Sequence, residues 1–560
     1  MLGFGKSDKN SDKKGKCKFI VVTGGVISGL GKGVITASIA NVLQAHGYNV
    51  SAIKIDPYIN IDAGTMRPTE HGEVWVTDDG GETDQDLGTY ERFLGKSISK
   101  LNNITTGQVY QKVISMERNL DFGGKCVEVI PHIPEEIERR IKEVAEKEKL
   151  DFLLIEVGGT VGDYQNVLFL EAMRRMNLKG DPMVFVHVVY LPIPKSVGEM
   201  KTKPAQHSVR MLNEVGIQPH FIMARSEKPL DDVRKEKISI FCNVKPENVI
   251  SNPDLEYVYE LPLIYENQDF TENILRKFDI KYKKTDGLDN WRKFVNNIKT
   301  AEKKVKIAIV GKYFDIGDFT LEDSYVSVIE AIKHASGNKK VVPEIVWMDS
   351  KDFEKDENKL QKLNDIDGVI VPGGFGSTGI EGKILVAKYC RENNVPYLGL
   401  CLGLQIAVIE FARNVCGLEG SNSTEFDKNT KHPSVCILPD QVEKMKKSQY
   451  GGTMRLGGQD VKIVENTIAE KIYGKNLIRE RFRHRFEINP ELIENLKNKG
   501  LVFSGMTPDN KIMQIIELSE HIFFMGSQFH PEFTSRPINP NPLFTKFIES
   551  AIKISDSRSL

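Results

Sequence analysis

Residues 395–407 read VPYLGLCLGLQIA, a spacing that dictates a strand, a sharp turn and a helix in quick succession. An apolar run of strand length reaches Gly399, Cys401 stands between that glycine and Gly403, and an apolar helical pattern follows. Glycines on both sides let the chain reverse direction closely, and the side chain at the tip projects beside N–H groups that the first helical turn cannot satisfy. The projecting group is a thiol. Thiolate is the nucleophilic form of cysteine, and a helix N-terminus favours it. Such a unit belongs in an open α/β sheet and needs a base from elsewhere in the chain.

Residues 526–533, GSQFHPEF, offer that base. His530 and Glu532 are two apart, so in extended chain both point the same way, and the carboxylate can fix the imidazole tautomer. PGGFG (372–376) ends another apolar run and presents N–H groups that, with that of Leu402, can form an oxyanion hole for acyl transfer. Apolar strands at 305–310 and 368–371, helical patterns at 322–335 and 382–392, and a terminal helix at 543–554 frame a doubly wound α/β domain over 304–555.

The first half has its own α/β pattern over 17–282. A strand at 19–22 runs into TGGVISGLGKG (23–33), followed by a helix with apolar Ile35, Ile39, Val42 and Leu43 and a strand at 50–55. Further strands are expected at 152–157, 183–191 and 221–224. The glycine loop resembles a P-loop but has five residues between Gly25 and Gly31, and Gly33 stands where the metal-binding hydroxyl is usual. A backbone nest with Lys32 still suits a triphosphate. For a metal ion, DDGGETDQD (78–86) and Glu156 at the end of FLLIEV are the candidate carboxylates, since Mg²⁺ takes one or two of them with water and phosphate oxygens. KTKPAQ (201–206), with Lys237, is a candidate second polyphosphate anchor.

A length of 560 residues allows two or more domains, and a net charge of -1 gives no bulk attraction to nucleic acid or anionic membrane. No apolar run approaches the roughly 20 residues that span a bilayer. Seven scattered cysteines without a CxxC pair indicate neither a disulfide framework nor a zinc site and point to the cytoplasm. Residues 1–16 read as a disordered lysine-rich tail, and the polar stretch 283–303 as a linker between the domains.

PGGFG, GLCLGLQ and FHPEF, in this order, resemble class I glutamine amidotransferase domains. Together with TGGVISGLGKG, KIDPYIN, GTMRPTEHGEV, ETDQDLGTYERF, EVGGTVGD and KTKPAQHS, they are similar to the CTP synthase family over residues 17–550. The resemblance implies two doubly wound domains, a P-loop-like (Rossmann-like) synthetase domain and a class I glutamine amidotransferase domain. It implies that ATP phosphorylates O4 of UTP and that ammonia from L-glutamine displaces the phosphate to give CTP. In the second half it makes Cys401 the nucleophile, His530 the base and Glu532 its orienter. Gly374 and Leu402, Gly403, Leu404 and Gln405 would then hold glutamine, with Glu425 at its amino group and Arg485 at its carboxylate.

In the first half the resemblance assigns Gly29, Leu30, Gly31, Lys32, Gly33, Val34 and Asp86 to ATP, and Asp86 and Glu156 to Mg²⁺. Lys32 and Lys54 would bind phosphate and stabilise charge. Ser28, Lys54, Lys201, Thr202, Lys203, Gln206 and Lys237 would contact UTP, with Asp163 near the overlapping site of inhibitory CTP. GTP is implied as activator and a homotetramer as the assembly, with filaments left open. Two departures stand out: Gly29 follows Ser28 where many bacterial members have a second serine, and Ser377 and Thr378 replace a pair commonly ending in arginine near the GTP-responsive loop and the lid GGTMRLG (451–457), where Arg455 remains. Two other readings stay open at this point, an amide-forming synthetase of another substrate and a filament scaffold without activity.

Overall fold

In the computed structural model of the chain, the described residues are 16–25, 27, 29–196, 198–311, 315–316, 319–320, 322–374, 376–438 and 454–559. They divide into two compact units: residues 1–61 with 101–287, and residues 62–100 with 288–560.

The first unit is built on seven parallel strands, β1 (Lys18–Gly24), β2 (Val50–Asp56), β3 (Asn103–Thr105), β4 (Phe152–Val157), β5 (Met183–Tyr190), β6 (Phe221–Ser226) and β7 (Val249–Pro253), in the order β3-β2-β4-β1-β5-β6-β7. β2 and β4 are buried along their whole length, the pattern of strands covered on both faces. The order departs from β1 in both directions, so the carboxyl ends of the central strands open on a switch point, where α/β sheets bind ligands. The expected helix after the glycine loop is Lys32–Ala45, with Ile35, Ile39, Val42 and Leu43 all buried.

The second unit is built on a nine-stranded sheet, β8 (Lys304–Gly311), β9 (Val342–Asp349), β10 (Gly368–Val371), β11 (Tyr397–Leu400), β12 (Arg455–Ile463), β13 (Leu477–His484), β14 (Val502–Met506), β15 (Met513–Glu517) and β16 (Phe524–Ser527). Their order is β9-β8-β10-β11-β16-β15-β14-β12-β13, parallel from β9 to β16 and antiparallel beyond. β11 and β16 are adjacent, which brings the elbow and the FHPEF turn to the same end of neighbouring strands. Apolar clusters cover the two faces; on one of them Phe547 of the helix Pro542–Ser559 lies so close that a Cβ on Gly368 would come within 2.7 Å of its ring.

Three features differ from the sequence-based expectation. Residues 62–100 group with the second unit rather than with the rest of 17–282. The helical pattern at 322–335 is a 3-10 turn (Glu322–Tyr325) followed by the helix Val326–Lys339. The stretch 283–303 carries the helix Asp289–Lys299, in which Trp291, Phe294 and Val295 form a narrow buried stripe amid polar residues. The 1–15 part of the predicted tail and Ser28 lie outside the described residues, as do residues 451–453 of the lid. No helix among the described residues is long and apolar enough to cross a membrane.

Candidate functional site

Cys401 has φ 51° and ψ −97°, an unfavourable backbone conformation for a side-chain-bearing residue, and caps the helix Leu402–Asn414. Its N–H donates to the Ser527 carbonyl of β16 at 2.7 Å, which helps hold the strained turn. Both flanking glycines are required by contact: a Cβ on Gly403 would lie 2.0 Å from the Val371 carbonyl oxygen, and one on Gly399 2.6 Å from Gly403 backbone. The elbow therefore exists because strand and helix approach more closely than any side chain permits.

His530 and Glu532 stand on the turn after β16. His530 Nδ1 and Glu532 Oε1 are 2.7 Å apart, and both residues are buried. Nε2 of the imidazole makes no ordinary hydrogen bond among the described residues, so it is the nitrogen available to the cavity. Burial works to strip the proton from His530, but the Glu532 carboxylate and the Cys401 sulfur together outweigh it and raise the pKa from 6.5 to about 10. Gly373 fits between the two groups: a Cβ there would meet His530 Cε1 at 2.9 Å and Cys401 Cβ at 3.6 Å.

Cys401, His530, Glu532, Gly374 and Arg485 line one cavity of about 240 Å³. Leu402, Gly403 and Leu404 lie in the first helical turn, where they can offer backbone rather than side-chain groups. Gln405 sits behind the thiol instead of on the cavity wall: its Nε2 donates to the Phe486 carbonyl at 3.0 Å and to Gln528 Oε1 at 3.2 Å, while Gln528 Nε2 points at the Cys401 sulfur at 3.6 Å. Glu425 Oε1 accepts from the Gly376 N–H at 3.0 Å, beside the PGGFG turn. Ser377 and Thr378 are exposed, and Arg455 Nε donates to Glu487.

Sequence reasoning missed several residues of this cavity. Arg483 lines it, and its Nε donates to Glu82 Oε1 at 2.7 Å. Glu73 reaches the wall from HGEV, with Oε2 accepting from the Ser327 N–H at 2.9 Å. Burial, then the charge of Glu532, raise the Glu73 carboxyl from 4.5 to about 7 against its Ser327 hydrogen bonds. The one available signal was that HGEV is not a generic nucleotide motif.

In the first unit, Gly29 (φ 71°) and Gly31 (φ 78°) carry the loop into the helix, and Leu30 and Gly33 are buried while Val34 is half-buried. Lys32 Nζ donates to the Gly159 carbonyl at 2.9 Å, and a Cβ on Gly24 would lie 2.8 Å from the lysine Cδ, so the side chain folds back over the loop. Arg225, not anticipated, donates to the Gly29 carbonyl at 2.8 Å.

Lys54 Nζ lies 3.6 Å from Asp56 Oδ1 and 3.8 Å from Glu156 Oε1, all three buried. Two buried carboxylates around one ammonium suit a divalent cation. Among the described residues no cluster of three or more His, Cys, Asp or Glu that could hold a metal ion forms. Asp86 opens the helix Asp86–Leu94 in the second unit, its N–H donating to Asp84 Oδ1.

Lys201, Thr202, Lys203 and Gln206 gather at the start of the helix Lys203–Glu214. Lys201 pairs with Glu199 at 2.8 Å, Gln206 donates to Thr202 Oγ1, and the Lys203 ammonium lies 5.8 Å over the Phe241 ring. Lys237 is exposed on the same helix as Phe241, Asp232–Cys242. Asp163 is exposed and accepts from the Thr160 N–H and hydroxyl.

A family model described as CTP synthase N-terminus matches residues 18–280, and one described as glutamine amidotransferase class-I matches 320–550. The chain is 49% identical over 535 residues to a CTP synthase of Sulfolobus acidocaldarius, covering 95% of this chain and 99% of that one. It is 48% identical over 539 residues to one of Caldanaerobacter subterraneus, covering 96% and 98%, and 50% identical over 537 residues to one of Pyrococcus abyssi, covering 95% and 98%. The two family models enclose the glycine loop at Lys32 and the elbow at Cys401 respectively, and the relatives run the length of both halves; the chain belongs to the CTP synthase family.

Proposed function

We propose that the chain converts UTP to CTP, using ATP and ammonia released from L-glutamine, as part of pyrimidine nucleotide synthesis. The observation that carries the nitrogen-releasing half is the Cys401 elbow facing a cavity shared with a buried His530–Glu532 pair at 2.7 Å. Cys401 sulfur attacks the side-chain amide of glutamine while N–H groups of Leu402 and Gly374 receive the oxyanion. His530 delivers a proton to the departing nitrogen, so ammonia leaves and a thioester remains; water then hydrolyses it to glutamate and regenerates the thiol. Arg485 grips the substrate carboxylate and Glu425 its ammonium group.

In the synthetase half, the 29–34 loop and Lys32 hold the ATP triphosphate. Ser28, Lys54, Lys201, Thr202, Lys203, Gln206 and Lys237 hold UTP. The γ-phosphoryl group moves to O4 of UTP, ammonia adds at C4, and inorganic phosphate leaves. Glu156 would help to hold Mg²⁺, which when bound neutralises the charge of the phosphoryl groups in flight. Lys32 and Lys54 supply fixed positive charge to the same end. Ammonia is mostly ammonium at neutral pH, so an enclosed transfer between the two reactions preserves the reactive form.

We also propose GTP activation, CTP inhibition near Asp163 and a cytoplasmic homotetramer, with Ser377 and Thr378 altering the response to GTP. A GTP titration that leaves glutamine-dependent CTP formation flat would remove the first of these. The function itself is tested by incubating the chain with UTP, ATP, Mg²⁺ and glutamine and identifying the aminated product by chromatography. CTP is expected; an unaltered UTP pool with either glutamine or ammonia would sink the proposal.

A further inference from the structure

The imidazole of His530 is held by more than its carboxylate. Its ring is stacked on Phe533, with centroids 5.1 Å apart and planes 18° from parallel. Phe533 in turn meets the indole of Trp75 at 4.9 Å and 59°. Trp75 lies in the short hairpin of Trp75–Val76 with Glu82–Thr83, within the 62–100 segment of the second unit.

Trp75 has almost no freedom of its own. It is 1% exposed, and a Cβ on Gly88 would stand 2.5 Å from its ring. The guanidinium groups of Arg92 and Arg481 lie 5.3 Å from the indole and that of Arg536 lies 6.0 Å away. Arg481 donates to the Val76 carbonyl at 3.0 Å, and both Arg481 and Arg536 donate to Glu91, which is fully buried. The indole N–H is buried without a hydrogen-bond partner among the described residues. A buried Trp normally satisfies that donor, so this ring is placed for its faces and edges.

We propose that Phe533 and Trp75 are positioning residues for glutamine hydrolysis: they set the tilt of the His530 ring, so that residues 62–100 control how Nε2 meets the sulfur of Cys401. The Glu532 contact fixes one nitrogen and leaves the ring free to rock about that bond. The Phe533 stack removes that freedom, and Trp75 keeps Phe533 from following. A displacement on the scale of an ångström at a reacting group is enough to cost about a hundredfold in rate.

The inference rests on the reading of Cys401, His530 and Glu532 as the ammonia-releasing site. The test uses the full chain with Phe533→Leu, Trp75→Ala and Trp75→Phe, measuring kcat and KM for glutamine, the ammonia-dependent rate as internal reference, and the thermal midpoint. Phe533→Leu and Trp75→Ala should lower the ratio of glutamine- to ammonia-dependent kcat about 10- to 100-fold with glutamine KM within about twofold, and Trp75→Phe should restore most of it. An unchanged ratio in folded Phe533→Leu protein, or Trp75→Phe as impaired as Trp75→Ala, overturns the inference. A parallel fall in both rates with the thermal midpoint assigns a general structural role and overturns it too. A wild-type chain that makes CTP from ammonia and not from glutamine overturns the underlying site reading instead.

Discussion

Arg481 Nη2 donates to Glu91 Oε2 at 2.7 Å with both side chains sealed from solvent. Arg536 donates to the same oxygen, so one buried carboxylate is shared by two guanidinium groups. Removing one member of a buried ion pair costs about 3–5 kcal/mol because the remaining charges stay buried. Glu91→Gln should therefore lower the thermal midpoint of the second unit strongly, as read by differential scanning calorimetry. A midpoint equal to wild type would show that the cluster contributes little net stability.

Gly403→Ala tests the elbow. Its new methyl would be 2.0 Å from the Val371 carbonyl oxygen, and backbone cannot yield as a side-chain tip can. Overpacking of this kind costs typically about 1–3 kcal/mol and here would push the first helical turn away from Cys401. Glutamine-dependent CTP formation should fall at least tenfold while the ammonia-dependent rate persists. Full glutamine-dependent activity would contradict the close strand–helix approach.

The pH dependence of His530 has a definite sign. Its pKa is raised in the folded chain, from 6.5 to about 10, so the stability gained from holding this proton is fully present below about 6.5 and is lost as pH rises through 10. Glu532→Gln removes the charge that most favours the imidazolium, so the decline of stability over that window should flatten. The same variant should reduce glutamine-dependent kcat by about 10²- to 10⁴-fold. Thermal midpoints measured from pH 6 to pH 10 that decline equally in wild type and Glu532→Gln would refute the assignment.

What the sequence disclosed and what it hid follow from the kind of signal each residue left. The strand Phe152–Val157 was readable because its buried residues leave a dense apolar run, broken only by Glu156 near its end. The elbow was readable because two glycines and a lone cysteine record a steric requirement directly. Residues 62–100 were not. Their strands are two residues long, and their buried groups include Glu82, Glu91 and Arg92, which in a sequence look like a solvated acidic loop.

The partners that make those charges affordable to bury, Arg481, Arg483 and Arg536, lie some 400 residues further on, and no local pattern announces the pairing. The resemblance assigns Arg485 to the glutamine carboxylate, and Arg483, two residues before it, also faces the cavity. The resemblance gave Gln405 a place at the glutamine; its side-chain amide meets Phe486 and Gln528.

The division of labour between the two units is tested most directly by Cys401→Ala assayed with each nitrogen source in turn. The account predicts that this chain loses CTP formation from glutamine and retains it from ammonia at close to the wild-type rate, whereas Lys32→Ala loses both. Loss of the ammonia reaction in folded Cys401→Ala protein, or retention of the glutamine reaction, would contradict it.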